Sequence, residues 1–253
     1  MKKIVKWFLI AIEATVLFIV VGALCTAITK NIYAEALISQ FKKRGVLDET
    51  HSTNKVKYYP IDSNEERPTI QNYGGTYYPG NSGDILISLK SELDIPFIQD
   101  FISFFAGGHA AVVLGDYQDA TSSVTVDQTM ESTGVGNDAN AGVSDKGDCW
   151  VDASPYDEVI CLRVDTTEEQ RNRILAEAMA LSDDPYNYAF IWDTKKKTYC
   201  SDLIQKIYRK QGFNLNKDGF TTSVYDLIVT SETYISYYHY VDYDGVRHVY
   251  YLK

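Results

Sequence analysis

The apolar positions of this chain fall into one long continuous run, a polar interval, and then short alternating stretches. Residues Trp7 to about Ile28 are apolar almost without a break and follow Lys2, Lys3 and Lys6. A hydrocarbon core of ~30 Å takes ~20 residues of helix, whereas the apolar part of a cleavable signal runs to about 7–15. The run therefore predicts one N-terminal anchor in the cell membrane, with the lysines keeping the N-terminus cytoplasmic and the rest of the chain outside. Some features pull the other way. Glu13 costs ~2.5–3.5 kcal/mol at mid-membrane, Lys42, Lys43 and Arg44 weaken the charge bias, and Cys25-Thr26-Ala27 offers a small-residue cleavage site that would leave a secreted protein.

Beyond the run, Ile32, Ala36, Leu37 and Phe41 recur at helical spacing before Arg44-Gly45, which predicts an amphipathic helix over 29–50. Residues 51–80 are polar, with Asn, Ser, Pro and paired Gly and Tyr, and read as linker or irregular cover. The chain thus divides into 1–28 as anchor or signal, 29–77 as amphipathic helix and linker, and 78–253 as the folded domain.

In that domain GDILISL (83–89) reads as a strand, and IPFIQDFISFF (95–105) as a short helix beneath the sheet. HAAVVLG (109–115), VTVDQTMES (124–132) and DEVICLRV (157–164) read as further strands. Gly134 to Asp148 is rich in Gly, Asn and Asp and reads as a solvated loop, because its carboxylates lack EF-hand spacing. Thr166 with Glu169 has the form of a capping box for a helix running to about Leu181. KTYCSDLIQKIYRKQG (197–212) predicts another helix, with Gly212 closing it, and the tyrosine-rich tail from Thr233 predicts two strands about an Asp244-Gly245 turn. Strands grouped around a few helices predict an α+β fold.

Composition changes this picture only at points. The 253 residues are 45% hydrophobic, enough for a packed core. A balance of 24 basic to 34 acidic residues, a net charge of −10, argues against nucleic acid as a partner. The twenty tyrosines read first as half-buried strand residues and second as a peptide- or carbohydrate-facing surface. Cys25, Cys149, Cys161 and Cys200 show no CxxC spacing and no clustered histidine, so no metal site is supported. Cys149 and Cys161 are either a disulfide or two small buried residues.

Three residues carry candidate chemistry. Cys200 begins a predicted helix, where the helix dipole and unpaired N–H groups favour a thiolate; packing against the core is the alternative. His109 opens a strand after Gly107-Gly108, whose glycines allow close approach, against the commoner fate of a histidine satisfied by backbone. Glu131 lies 22 residues on in the next strand, where hairpin pairing sets its carboxylate beside the imidazole; alone it would pass as a solvated residue. His51 in the polar stretch and His248 in a tyrosine-rich strand read as surface residues, and His239 has no comparable setting.

PGNSGDILIS, GGHAAVVLGD, Met130-Glu131-Ser132 with Gly134-Val135-Gly136, DPYNYAF and TYCSDLIQKIY occur in the order found in permuted papain-like amidases of the YaeF/YiiX type. The chain resembles these relatives of NlpC-type cell-wall hydrolases over about residues 78–215. The resemblance implies a circularly permuted papain-like fold, an antiparallel sheet or partial barrel packed on helices. It implies Cys200 as nucleophile, His109 as general base and Glu131 as orienting residue, with Asp127 or Gln128 as rivals for the last role. Tyr199, Tyr186 and Gly108 would line the substrate cleft, and no cofactor or metal is required. The substrate expected for a tethered extracytoplasmic hydrolase is an amide in a peptide or peptidoglycan fragment. An acyltransferase or lipid/ester hydrolase is the closest chemical rival, and a non-catalytic binding module the rival of another class.

Overall fold

The computed structural model describes residues 2–65, 67, 79–90, 107–115, 129–134, 141–146, 150, 156–190, 196–219 and 221–253. In chain order these form α1 (Lys2–Lys43), β1 (Val56–Ile61), β2 (Ile85–Ser88), β3 (His109–Val113), β4 (Thr129–Thr133), β5 (Gly142–Lys146) and β6 (Glu158–Val164). There follow α2 (Glu168–Ala180), α3 (Cys200–Arg209), α4 (Val224–Val229), β7 (Thr233–Val241) and β8 (Arg247–Leu252). The strands make one sheet in the order β1-β8-β7-β6-β2-β3-β4-β5, antiparallel at every pairing except β1 with β8. This is the α+β sheet-on-helices architecture expected.

Alternation along the strands sorts side chains to two faces. Ile85, Ile87, Ala110, Val112, Met130, Ile160 and Leu162 meet Ile174 of α2, Leu203, Ile204 and Ile207 of α3, and Leu227 and Ile228 of α4. Each of these side chains other than Ala110, fully buried, contributes about 1.5–3 kcal/mol. On the other face Leu86, Ala111, Val113, Val159 and Cys161 pack with Tyr58, Tyr237, Tyr251, Trp150 and Tyr156. The tyrosine-rich tail is therefore largely structural, with Tyr237 and Tyr251 buried.

Several expectations change. The segment expected as anchor and the expected amphipathic helix are one continuous helix, α1, whose last turns bury Ala34, Ile38 and Phe41 in the helix-face core. Residues 56–61, inside the expected linker, form β1, an edge strand that contains Pro60. An edge tolerates proline because one side of the strand needs no ladder partner. Within the expected 134–148 loop, β5 pairs along β4 although only its backbone, not an apolar alternation, specifies it. The capping box falls on Thr167 and Gln170, one residue later than expected, because Thr-Thr-Glu-Glu-Gln satisfies the same spacing twice. α3 ends with Lys210 as its cap, and Gly212, two residues further on, takes φ +93°. The expected helix over 95–105 lies outside the described residues, as does 124–128 of the expected third strand.

Candidate active site

β3 and β4 pair with Ala111 opposite Glu131, so His109 sits on the same sheet face one diagonal step away. That spacing is within reach of long side chains. The result is a contact of 2.7 Å between His109 Nε2 and Glu131 Oε2, with both residues buried. The second carboxylate oxygen, Oε1, accepts from Thr129 Oγ1 at 2.5 Å and from the Trp150 indole at 2.7 Å. A buried carboxylate that accepts from three donors is held in its charged form. Burial raises the Glu131 pKa, but the bonds from His109, Thr129 and Trp150 outweigh it and leave it below the usual carboxylate range.

The imidazole is equally constrained. Its ring stacks on Trp150 at 5.8 Å and on Tyr156 at 6.4 Å between centroids. Burial alone would push His109 down, yet hydrogen bonds with Cys200 and Glu131 and the carboxylate's charge hold it well above the ordinary histidine value. With Nε2 committed to Glu131, Nδ1 is the ring nitrogen left for Cys200.

Cys200 is the first residue of α3, half-buried, with Tyr199 as the cap residue in extended conformation. The first bond of the helix runs from Leu203 N–H to the Tyr199 carbonyl, so the N–H groups of the first turn, those of Cys200 and Ser201 among them, take no partner within the helix. The segment entering α3 is tied down on both sides. Ser132 Oγ, next to Glu131, donates to the Thr198 carbonyl at 2.8 Å, and Tyr186 bridges Thr198. Ser201 Oγ donates to the Thr222 carbonyl at 2.8 Å.

The structure thus brings Cys200, His109 and Glu131 together. Tyr199 is buried, its hydroxyl accepting the Thr222 N–H at 2.8 Å, so it is a brace and not an open wall. Tyr186 is half-buried; its ring lies over Gly134 and meets Tyr188 and Phe190 edge-on. The glycines before His109 do allow close approach, but of protein and not of substrate. A Cβ on Gly108 would lie 2.1 Å from the Ser88 carbonyl and one on Gly107, at φ +77°, 1.8 Å from Val224, so protein fills that space. Asp127 and Gln128 lie outside the described residues.

Sequence reasoning missed Thr129, Trp150 and Tyr156. Thr129 shares Glu131's strand face and was readable from period two; Trp150 and Tyr156 lie outside any strand and carry no periodic signal. The other histidines stand apart. His51 is exposed, whereas His248 is half-buried, 2.8 Å from Asp242 and stacked on Tyr240. His239 is buried beside Tyr237. Cys161 is a free, buried thiol, and Cys149 lies outside the described residues.

A strand bearing histidine, then a carboxylate strand, then a cysteine at a helix start, on an antiparallel sheet backed by helices, defines a papain-like fold in permuted order. The family model described as permuted papain-like amidase enzyme, YaeF/YiiX, C92 family, matches residues 81–226, more than half of the chain, and the chain belongs to this family. The family is one of papain-like hydrolases. Among solved structures, the chain is similar to the metalloprotein YiiX from Escherichia coli O157:H7, at 14% identity and a TM-score of 0.44, covering 61% of this chain and 95% of that one. Comparison with curated proteins gives no match. α1 is long and apolar enough to cross a membrane, a property it shares with signal sequences.

Proposed function

We propose that this protein is a membrane-tethered cysteine amidase acting outside the cell membrane through Cys200, His109 and Glu131. The observation that supports it is the imidazole held between the Cys200 thiol and a buried, three-fold bonded carboxylate. Nδ1 takes the proton of Cys200, and the thiolate attacks the amide carbonyl carbon. The oxyanion that forms is received by N–H groups of the first turn of α3. His109 then gives its proton to the leaving nitrogen, the C–N bond breaks, and a thioester remains. Water, deprotonated by His109, attacks the thioester and frees the carboxylic acid and the thiol. Glu131 holds the ring tautomer and the cation throughout.

The substrate proposed is a peptide or peptidoglycan fragment, the amide available at that location. Purified full-length protein is incubated with wall fragments, and release of new amino groups is measured for wild type, Cys200→Ala and His109→Ala. Release by the wild type that both variants lose supports the reading; equal release by Cys200→Ala refutes it.

One observation favours a second reading, hydrolysis or transfer of a lipid acyl group. A largely apolar groove of about 430 Å³, lined by Phe18, Ile19, Gly22 and Ala23 of α1, by Thr221 and by Tyr225 of α4, would take an acyl chain beside Lys30 and Asp218. Lipid esters in the same assay, with and without an alcohol acceptor, separate the two.

A further inference from the structure

The N-terminal helix does more in this structure than end near the domain. Lys30 of α1 points its ammonium at Asp218 and Asp226, 2.5 Å from an oxygen of each, and its side chain is only 18% exposed. Both aspartates belong to the segment that braces the active site. Asp226 Oδ2 accepts from the Ser223 backbone N–H at 2.8 Å and from Ser223 Oγ at 2.7 Å, the capping box that starts α4. The Asp218 N–H donates to Asn216 Oδ1, and Asn216 Nδ2 donates to Thr222 Oγ1.

Thr222 is where this chain of bonds reaches the chemistry. Its N–H donates to the Tyr199 hydroxyl and its carbonyl accepts from Ser201 Oγ, each at 2.8 Å. These are the two sequence neighbours of Cys200. Val224, two residues further on, lies so close to Gly107 that a Cβ there would meet it at 1.8 Å, and Gly107 leads directly into His109. Residues 216–219 and 221–226 therefore lean on both halves of the cysteine–histidine pair. Lys30 sets its cation between these two carboxylates, and like charges at this range repel when that cation is removed.

We propose that Lys30 is a positioning residue for Cys200 and His109, acting through Asp218, Asp226 and Thr222, so that the seating of the anchor helix sets the reactivity of the site. The proposal rests on the cysteine–histidine reading above. A productive pair tolerates little displacement, since a shift of ~1 Å in an active site costs rate by about a hundredfold.

The test uses the full chain in detergent micelles or lipid nanodiscs, with iodoacetamide as probe and peptide mass to follow Cys200 alone. The labelling rate is measured from pH 5 to 9 for wild type, Lys30→Met, Lys30→Arg, Lys210→Met and His109→Ala. Lys210→Met removes only the exposed contact with Glu177 and serves as control. Lys30→Met is expected to slow labelling at pH 7 by about tenfold and flatten the profile, Lys30→Arg to restore it to within about twofold, and Lys210→Met to leave it unchanged. A wild-type profile for Lys30→Met beside a collapsed one for His109→Ala overturns the proposal and leaves the nucleophile reading standing. A wild-type profile for His109→Ala overturns both. If thermal melting shows Lys30→Met unfolded, Asp218→Asn replaces it, since the Ser223 capping box stays intact, and an unchanged profile there overturns the proposal.

Discussion

His109 Nε2 lies 2.7 Å from Glu131 Oε2 while Glu131 Oε1 is fully used by Thr129 and Trp150, so the carboxylate has one geometry in which all its partners are met. The carboxylate therefore fixes which ring nitrogen carries the proton and which faces Cys200.

Replacement Glu131→Gln tests this directly. The glutamine carbonyl keeps Thr129 and Trp150 as donors, which turns its amide N–H towards His109 Nε2. The ring proton then moves to Nδ1, and the imidazole no longer accepts from the thiol. Hydrolysis is expected to fall roughly a hundredfold to ten-thousandfold with little loss of melting temperature. A variant within a few-fold of wild type in kcat would show that the carboxylate does not orient the base.

The thiols should separate by reactivity. Cys161 is buried, and burial followed by the neighbouring Asp84 charge pushes its thiol up, so it stays protonated at pH 7. Only thiolates alkylate. Native protein should carboxymethylate at Cys200 fast and at Cys161 only in denaturant. Peptide mapping over time checks the order, and rapid native labelling of Cys161 would contradict it.

How much of this was legible follows from what each element needs. β2, β3 and β6 are near-continuous apolar runs buried on both faces, the β7–β8 hairpin has its Asp244-Gly245 turn, and α3 buries apolar side chains at helical spacing, so their pattern is in the residues themselves. β1 and β5 are held by backbone pairing to a neighbour that lies far off in sequence or offers polar side chains, which leaves no local signal. The short α4 announced itself only by Ser223-x-x-Asp226, a capping box without a long apolar run behind it. At the site, Cys200, His109 and Glu131 were readable because each sits at an element start or on a strand face. Trp150, which arrives from outside the strands, was not.

His239 gives the chain a specific acid sensitivity. Burial, then the Arg247 charge, lowers its pKa to about 3 against an ordinary value of about 6.5. A depressed folded value means the neutral ring's contribution is full above about pH 6.5 and is lost as pH falls toward about 3, because the unfolded chain takes the proton first. His239→Gln should remove a slope of up to ~1.4 kcal/mol per pH unit across that window. Urea midpoints at pH 4, 5, 6 and 7 read it out, and parallel stability curves for the two proteins would sink the assignment. His109 and Glu131 work in the opposite sense to one another: the raised histidine stabilises fully below about pH 6.5, the lowered glutamate above about pH 4.5.

Gly108→Ala should damage the fold at the entrance to β3. A Cβ there meets the Ser88 carbonyl at 2.1 Å and the Lys90 carbonyl at 2.4 Å, and backbone yields less readily than side chain. Overpacking of this kind costs about 1–3 kcal/mol, and it shifts the residue that precedes His109. Both melting temperature and Cys200 labelling should fall together. Loss of neither would mean that the β2 end is free to move aside.

The buried ion pair of Asp84 and Arg163 permits stability to be separated from chemistry. Arg163 Nε and Nη2 bond the Asp84 carboxylate at 2.9 and 2.6 Å, Arg67 adds a contact at 3.1 Å, and the Asn81 N–H one of 2.9 Å. Asp84 is 0% exposed and Arg163 1%. Removing Arg163 leaves the buried Asp84 to Arg67 and takes from Glu65 its contact of 2.8 Å, at a cost of about 3–5 kcal/mol, whereas neutralising Asp84 as well restores part of it. Arg163→Met should therefore lower the urea midpoint sharply, and Arg163→Met with Asp84→Asn should recover part of the loss. Asp84 precedes β2 at the end away from Ser88, which pairs with His109, so the folded fraction of either variant should alkylate Cys200 at the wild-type rate. A labelling rate that falls in proportion to stability would place this ion pair in the support of the active site and not only in the support of the sheet.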